Sequence, residues 1–186
     1  MISLKSAELI ITIITFFIAY ATAVTLAGSF RAWVAEKMGD DTGQMMGLAS
    51  LNPLMHIDFI GVIFLLLFSF GWGKHVPINP FNIHEPHRKW KMAAAYLSDT
   101  CAYFISALIG IVFIVGAYGL EMLMIARTML VCRSMTHLYL VESCPTLSSF
   151  GITISFIVIA FVYLNVLLCV LSLISNGYLQ SSGKQA

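Results

Sequence analysis

Two charged side chains in this chain sit where charge is most costly. Arg31 closes the first long apolar run, in "TLAGSFRAWVAEKMGD", and Asp99 lies inside the third. An ionised group among hydrocarbon is expensive, so an intramembrane charge calls for a partner and a role. The chemistry open to these two is an ion pair that locks two helices together. Two plainer readings stand beside it: Arg31 snorkels to headgroups, and Asp99 caps a late-starting helix. A second set, His56 and Asp58 with His84, Glu85 and His87, has the residue types of a metal site. Pro86 interrupts "HEPH" and places it in a loop, so it is not a helical zinc motif, and holding a re-entrant turn suits His56 and Asp58 better. Ser29 and Ser98 have no paired base nearby in sequence, and serines are common in packed membrane helices. Cys101, Cys132, Cys144 and Cys169 form no C-x-x-C pair and read as small core residues. Ten methionines, four of them at 122, 124, 129 and 135, read as a flexible packing surface.

The surroundings of these residues are overwhelmingly apolar. Of 186 residues, 59% are hydrophobic and 10% charged, and the mean hydropathy is +0.90. Soluble domains carry about a quarter charged residues, so this surface must face lipid. A formal net charge of +1 gives no argument for nucleic acid. The length suits one unit, a single membrane domain over residues 1–186. Near the start, Lys5 precedes Leu9 to Phe30, 22 residues without a charge. That exceeds the apolar core of a signal peptide, about 7–15 residues, and predicts a retained transmembrane helix.

The elements that must position Arg31 and Asp99 follow from these runs. Leu9 to Phe30 spans ~33 Å as a helix, against about 30 Å of hydrocarbon. A polar interval over 31–58 follows and ends in "SLNPLMHID". Phe59 to Gly73 is only 15 residues, which predicts a short, protein-packed or re-entrant helix. Pro77, Pro80 and Pro86 make the next stretch an extended loop. Met92 to Leu120 is long enough to cross, residues 121–142 show no single face, and Phe150 to Ile174 supplies 25 uncharged residues. Trp33, Trp72 and Trp90 each end an apolar run, where an indole prefers the interface. The expectation is an all-α polytopic membrane protein of four, possibly five, transmembrane helices. Lys74, Arg88, Lys89 and Lys91 make the second loop cytoplasmic, and both termini with it if there are four spans.

Residues 50–83, "SLNPLMHIDFIGVIFLLLFSFGWGKHVPINPFNI", add a specific pattern. Asn52, Pro53, His56, Ile57, Asp58 and Gly61, then Gly71, Trp72, Lys74, Val76, Pro77, Asn79 and Pro80, resemble the short bacterial branch of the site-2 protease family. These are intramembrane zinc metalloproteases. In that family the first helix ends in His-Glu-x-x-His and a short Gly-Asp follows. The resemblance puts Ala27, Gly28 and Arg31 at the positions of the first His, the Glu and the second His. The third ligand, an aspartate in a late Asn-x-x-Pro-x-x-x-Leu-Asp-Gly segment, has no counterpart in "NVLLCVLSLISNGYLQ", and the Gly-Pro-x-x-Asn of the third helix is replaced by Asp99, Thr100 and Tyr103.

Alanine and glycine have no donor atoms, and a protonated guanidinium has no lone pair and repels a dication. A catalytic zinc needs three protein ligands and an open water position. The resemblance therefore implies the fold without metal or other cofactor, and the expectation is that the chain is not an enzyme. It implies an accessory subunit of a larger membrane complex, with other integral membrane subunits and lipids as partners, in a bacterial inner membrane or an equivalent energy-transducing membrane. The alternatives are a non-cleaving regulator that binds transmembrane substrates or an active protease, and a membrane protease of altered chemistry. The residues carrying structure and interaction are then Arg31, Asp99, Asn52, Pro53, His56, Asp58, Trp72, Asn79 and Pro80.

Overall fold

The computed structural model describes residues 4–131, 137–144 and 147–182. Cys132, Arg133 and Met135 lie outside the described residues. Seven helices follow in order: α1 (Leu4–Lys37), α2 (Thr42–Met45), α3 (Pro53–His56), α4 (Phe59–Phe68), α5 (Arg88–Val131), α6 (His137–Ser143) and α7 (Ser149–Ser182). No strand occurs among the described residues, only an isolated antiparallel bridge between Ile57 and Gly73.

Three of these helices are long and apolar enough to cross a membrane: Ser6–Lys37, Arg88–Met129 and Phe150–Asn176. Phe59–Gly73, expected to be a short, protein-packed or re-entrant helix, contains the 10-residue α4, ~15 Å long, and with three candidate spans among the described residues the expected count of four or five is not confirmed. The reason is local. Ser69 takes a left-handed conformation (φ 61°) that caps α4, and residues 70–79 form no helix. Three crossings would put the termini on opposite faces, where four would put them on one. The run expected to end at Leu120 continues to Val131, with a break at Gly119, whose φ of 78° no helix adopts.

α1, α5 and α7 all pack against one another, with the most extensive contact between α5 and α7. Ala19, Ala23 and Ala27 repeat every fourth residue and are all buried, which lets neighbouring backbones approach closely. Phe16 meets Phe156 and Tyr163 edge-on, at centroid distances of 6.4 and 6.2 Å. Large apolar side chains such as Ile14, Phe104, Ile109 and Val112 point outward, which suits a surface solvated by lipid.

Beyond α1 the chain folds back through short, capped pieces. The Asn52 side chain accepts from the Leu54 N–H and caps α3, with Pro53 in its first turn. Asp58 does the same for α4 through the Gly61 N–H at 2.8 Å. The Tyr20 hydroxyl, inside α1, donates to the Trp72 carbonyl at 2.7 Å and pins the chain after α4 to α1.

Asp40 fastens the Pro-rich loop. It is fully buried and accepts from the Asn79 N–H (2.7 Å), the Asn82 side-chain amide (2.9 Å) and both the N–H and hydroxyl of Thr42. Asn79 in turn caps its own turn by accepting from the Phe81 N–H, and Pro80 offers its carbonyl to Arg88. Burial pushes the Asp40 carboxyl up, but the hydrogen bonds from Thr42, Asn79 and Asn82 outweigh it and hold it below the usual carboxylate value. A depressed pKa stabilises the fold above the unfolded value, about 3.9, and that contribution is lost as pH falls through the folded value. Asp40→Asn is expected to cost about 2 kcal/mol at neutral pH, because its amide nitrogen cannot accept. Limited proteolysis checks this: cleavage within 77–87 should rise at neutral pH in the variant, and in the wild type only under strongly acidic conditions.

Candidate functional site

Arg31 is well inside α1, which runs on through Lys37, and not at a helix end. Ala32 and Ala35 are both fully buried and prolong the packed face past the arginine. Snorkelling to headgroups is thereby excluded, since the Arg31 side chain is 3% exposed and faces the bundle interior. Asp99 does not cap a helix either, because α5 begins at Arg88. The two meet: Arg31 Nη1 stands 2.9 Å from Asp99 Oδ2. The same Nη1 donates to Asn176 Oδ1 at 3.4 Å, and the Asn176 amide donates to Asp99 Oδ1 at 3.2 Å. Thr100 and Ser172 hydroxyls pair at 2.6 Å beside it, and the Arg31 guanidinium lies 5.7 Å from the Tyr96 ring centroid. One cation thus joins α1, α5 and α7.

Asn176 is the residue that the sequence reading missed. It is buried, and Gly177 follows it, as Gly follows the aspartate ligand in the pattern of the resembled family. An amide in place of a carboxylate before Gly, at the end of the last apolar run, was the available signal.

Gly28 faces His56 so closely that a Cβ there would overlap the imidazole Nδ1. His56 is buried; its Nε2 donates to the Ser50 carbonyl at 2.9 Å, and Nδ1 has no partner. The ring fills the space that a side chain at 28 would need. The His56 carbonyl accepts from Lys74 N–H at 2.7 Å, which sets residues 73–75 alongside α1. His84, Glu85 and His87 are exposed in the loop, away from this cluster.

Between these elements lies a cavity of about 370 Å³, lined by Gly28, Arg31, Trp72, Lys74, Asp99 and Asn176 among others. His75 also lines it, at the exposed rim. The resembled family implies zinc here, and the donor set does not fit it. Ala27 and Gly28 offer nothing, Arg31 places a fixed cation at the metal's position, and Asn176 supplies an amide where a carboxylate is needed. Among the described residues no group of three His, Cys, Asp or Glu could hold a metal ion. No chemical step is therefore routed through a metal.

No family model matches the chain, and no solved structure matches it. One curated relative does: a protein of Bacillus subtilis (strain 168) named "Putative zinc metalloprotease YwhC", 34% identical over 117 residues. The match covers 62% of this chain and 49% of that protein, so the chain spans about half the length of the relative. The likeness supports a site-2-protease-like relationship.

It also corrects the expectation that the chain is not an enzyme. The named relative is a metalloprotease by name, and that points to an enzyme. The expectation rested on absent donors at 27, 28 and 31, which speak only to one metal geometry at one position. They do not bear on every hydrolytic chemistry that the fold can support.

Proposed function

We propose that this chain is a protease-like membrane protein that takes hold of membrane-borne polypeptide segments at the cavity between α1, α5 and α7. Its bound segment belongs to an integral membrane partner, in a bacterial inner membrane or an equivalent energy-transducing membrane. The observation that carries this reading is the non-helical stretch 72–76 along the cavity wall. Gly73 bridges Ile57 and the Lys74 N–H donates to the His56 carbonyl on one side, while the His75 N–H, which alternates to the other side, makes no hydrogen bond among the described residues. A backbone segment with an unmet donor at its outer side can pair with an added polypeptide, and the adjoining cavity gives a side chain somewhere to go. The relationship to a protein named as a protease agrees with a polypeptide ligand.

A photo-reactive residue at His75, which is exposed, tests this in intact membranes containing single-span proteins. Cross-links to such proteins are expected from position 75 and not from Val112, which is 70% exposed on the lipid face of α5. Equal labelling from both positions, or none from 75, would dispose of the proposal. Shortened partners on the same gels read cleavage directly.

A further inference from the structure

We propose that Tyr103 binds the polypeptide segment held in the cavity, its hydroxyl donating to one main-chain carbonyl of that segment; the inference rests on the function proposed above. Tyr103 stands on α5, and the cavity wall beside it is completed by Val24 of α1 and by Leu168 and Leu171 of α7. The residue is 8% exposed. Its hydroxyl has no hydrogen-bond partner among the described residues, yet that atom is not sealed from solvent. Since Tyr103 belongs to the buried core and meets open space at the cavity, the free surface of the hydroxyl faces the cavity.

The other polar groups of the wall are accounted for. Arg31, Asp99 and Asn176 hold one another, and Asn176 also donates to Ser172 and Thr100. Lys74, His75 and Ser175 are exposed at the rim, where water meets them. Tyr20, the buried tyrosine of α1, has its hydroxyl fixed to the Trp72 carbonyl. Tyr103 is left as the buried polar side chain that opens into the cavity unmet. A hydroxyl in apolar surroundings is costly to leave without a partner. Water meets it while the cavity stands open, and whatever enters displaces that water and must supply an acceptor of its own. Val24, Leu168 and Leu171 have none to give. A polypeptide carries a carbonyl at every residue and supplies the acceptor whatever its side chains are. An acyl chain has none, so this hydroxyl favours a polypeptide over a lipid tail.

The test uses the full chain in nanodiscs of zwitterionic lipid and fluorescent single-span peptides. Tyr103→Phe removes one oxygen atom and breaks no bond within the chain, so it should melt with the wild type. It is expected to bind the peptide about five- to tenfold more weakly. Peptides with a single isotope-labelled carbonyl, stepped along the segment, then locate the acceptor by infrared spectroscopy. One label should absorb at lower frequency on the wild type than on the Phe variant. Equal binding by the two chains, or no label that tells them apart, overturns the role of Tyr103 and leaves the proposed function standing. A Tyr103→Phe chain that melts clearly below the wild type assigns the hydroxyl to the fold and overturns it too. Failure of the wild type to bind any peptide overturns both.

Discussion

Asp99→Ala is expected to destabilise the bundle by about 3–5 kcal/mol, because it strands the Arg31 guanidinium in the interior. The arginine side chain is 3% exposed and Asp99 is its only ion-pair partner among the described residues. Asn176 remains within reach, but a neutral amide oxygen at 3.4 Å does not balance a fixed charge. The size of the effect reflects an uncompensated buried charge and not the net worth of the pair. Desolvating both ions offsets much of their attraction, so Arg31→Met combined with Asp99→Leu should recover most of the loss. Asp99→Asn should fall between, since it keeps the hydrogen bonds without the charge. Thermal unfolding in detergent, followed by tryptophan fluorescence, reads all three. Should Asp99→Ala melt within about 1 kcal/mol of the wild type, the guanidinium must have another acceptor and the three-helix junction does not depend on Asp99.

The second large effect is expected at Gly71. The backbones of Gly61 and Gly71 lie against each other: a Cβ on Gly71 would fall on the Gly61 carbonyl oxygen, and one on Gly61 on the Trp72 carbonyl oxygen. Neither obstacle is a side chain that could swing away. Gly71→Ala must push the extended chain off α4, breaking the Tyr20–Trp72 hydrogen bond and shifting the wall of the cavity. A loss of about 3 kcal/mol or more is expected, at the upper end of overpacking. Gly116→Ala is the control, because nothing lies within 4 Å of a Cβ there and the residue is inside α5. It should be neutral or stabilise by about 0.5–1 kcal/mol. Indistinguishable melting of the Gly71 and Gly116 variants would show that the approach of α4 to the extended segment is looser than described.

Much of the local structure was legible because short-range rules dominate it. The 15-residue run Phe59–Gly73 read as a short helix from its length alone, whereas the caps that Asn52 and Asp58 supply to α3 and α4 came only with the structure. Pro77, Pro80 and Pro86 forbid helix by covalent geometry alone. The number of crossings was less legible. Whether Phe59–Gly73 crosses depends on what covers its backbone, and here the Tyr20 hydroxyl and the close approach of Gly61 take up the chain after α4. The role of Asp40 was hidden for a similar reason, since its partners lie 39 and 42 residues away.

The sequence by itself determined that this chain lives in lipid, that its helices are long and apolar, and that positions 27, 28 and 31 carry no metal donors. Those properties belong to residue types and to unbroken runs, and folding does not alter them. Only the tertiary structure decided that Arg31 turns inward to Asp99 and Asn176, that His56 fills the space beside Gly28, and that the non-helical stretch 72–76 borders the cavity. Where a buried charge finds its partner is settled by helix packing between residues 68 and 145 positions apart, over which no sequence period or propensity has reach.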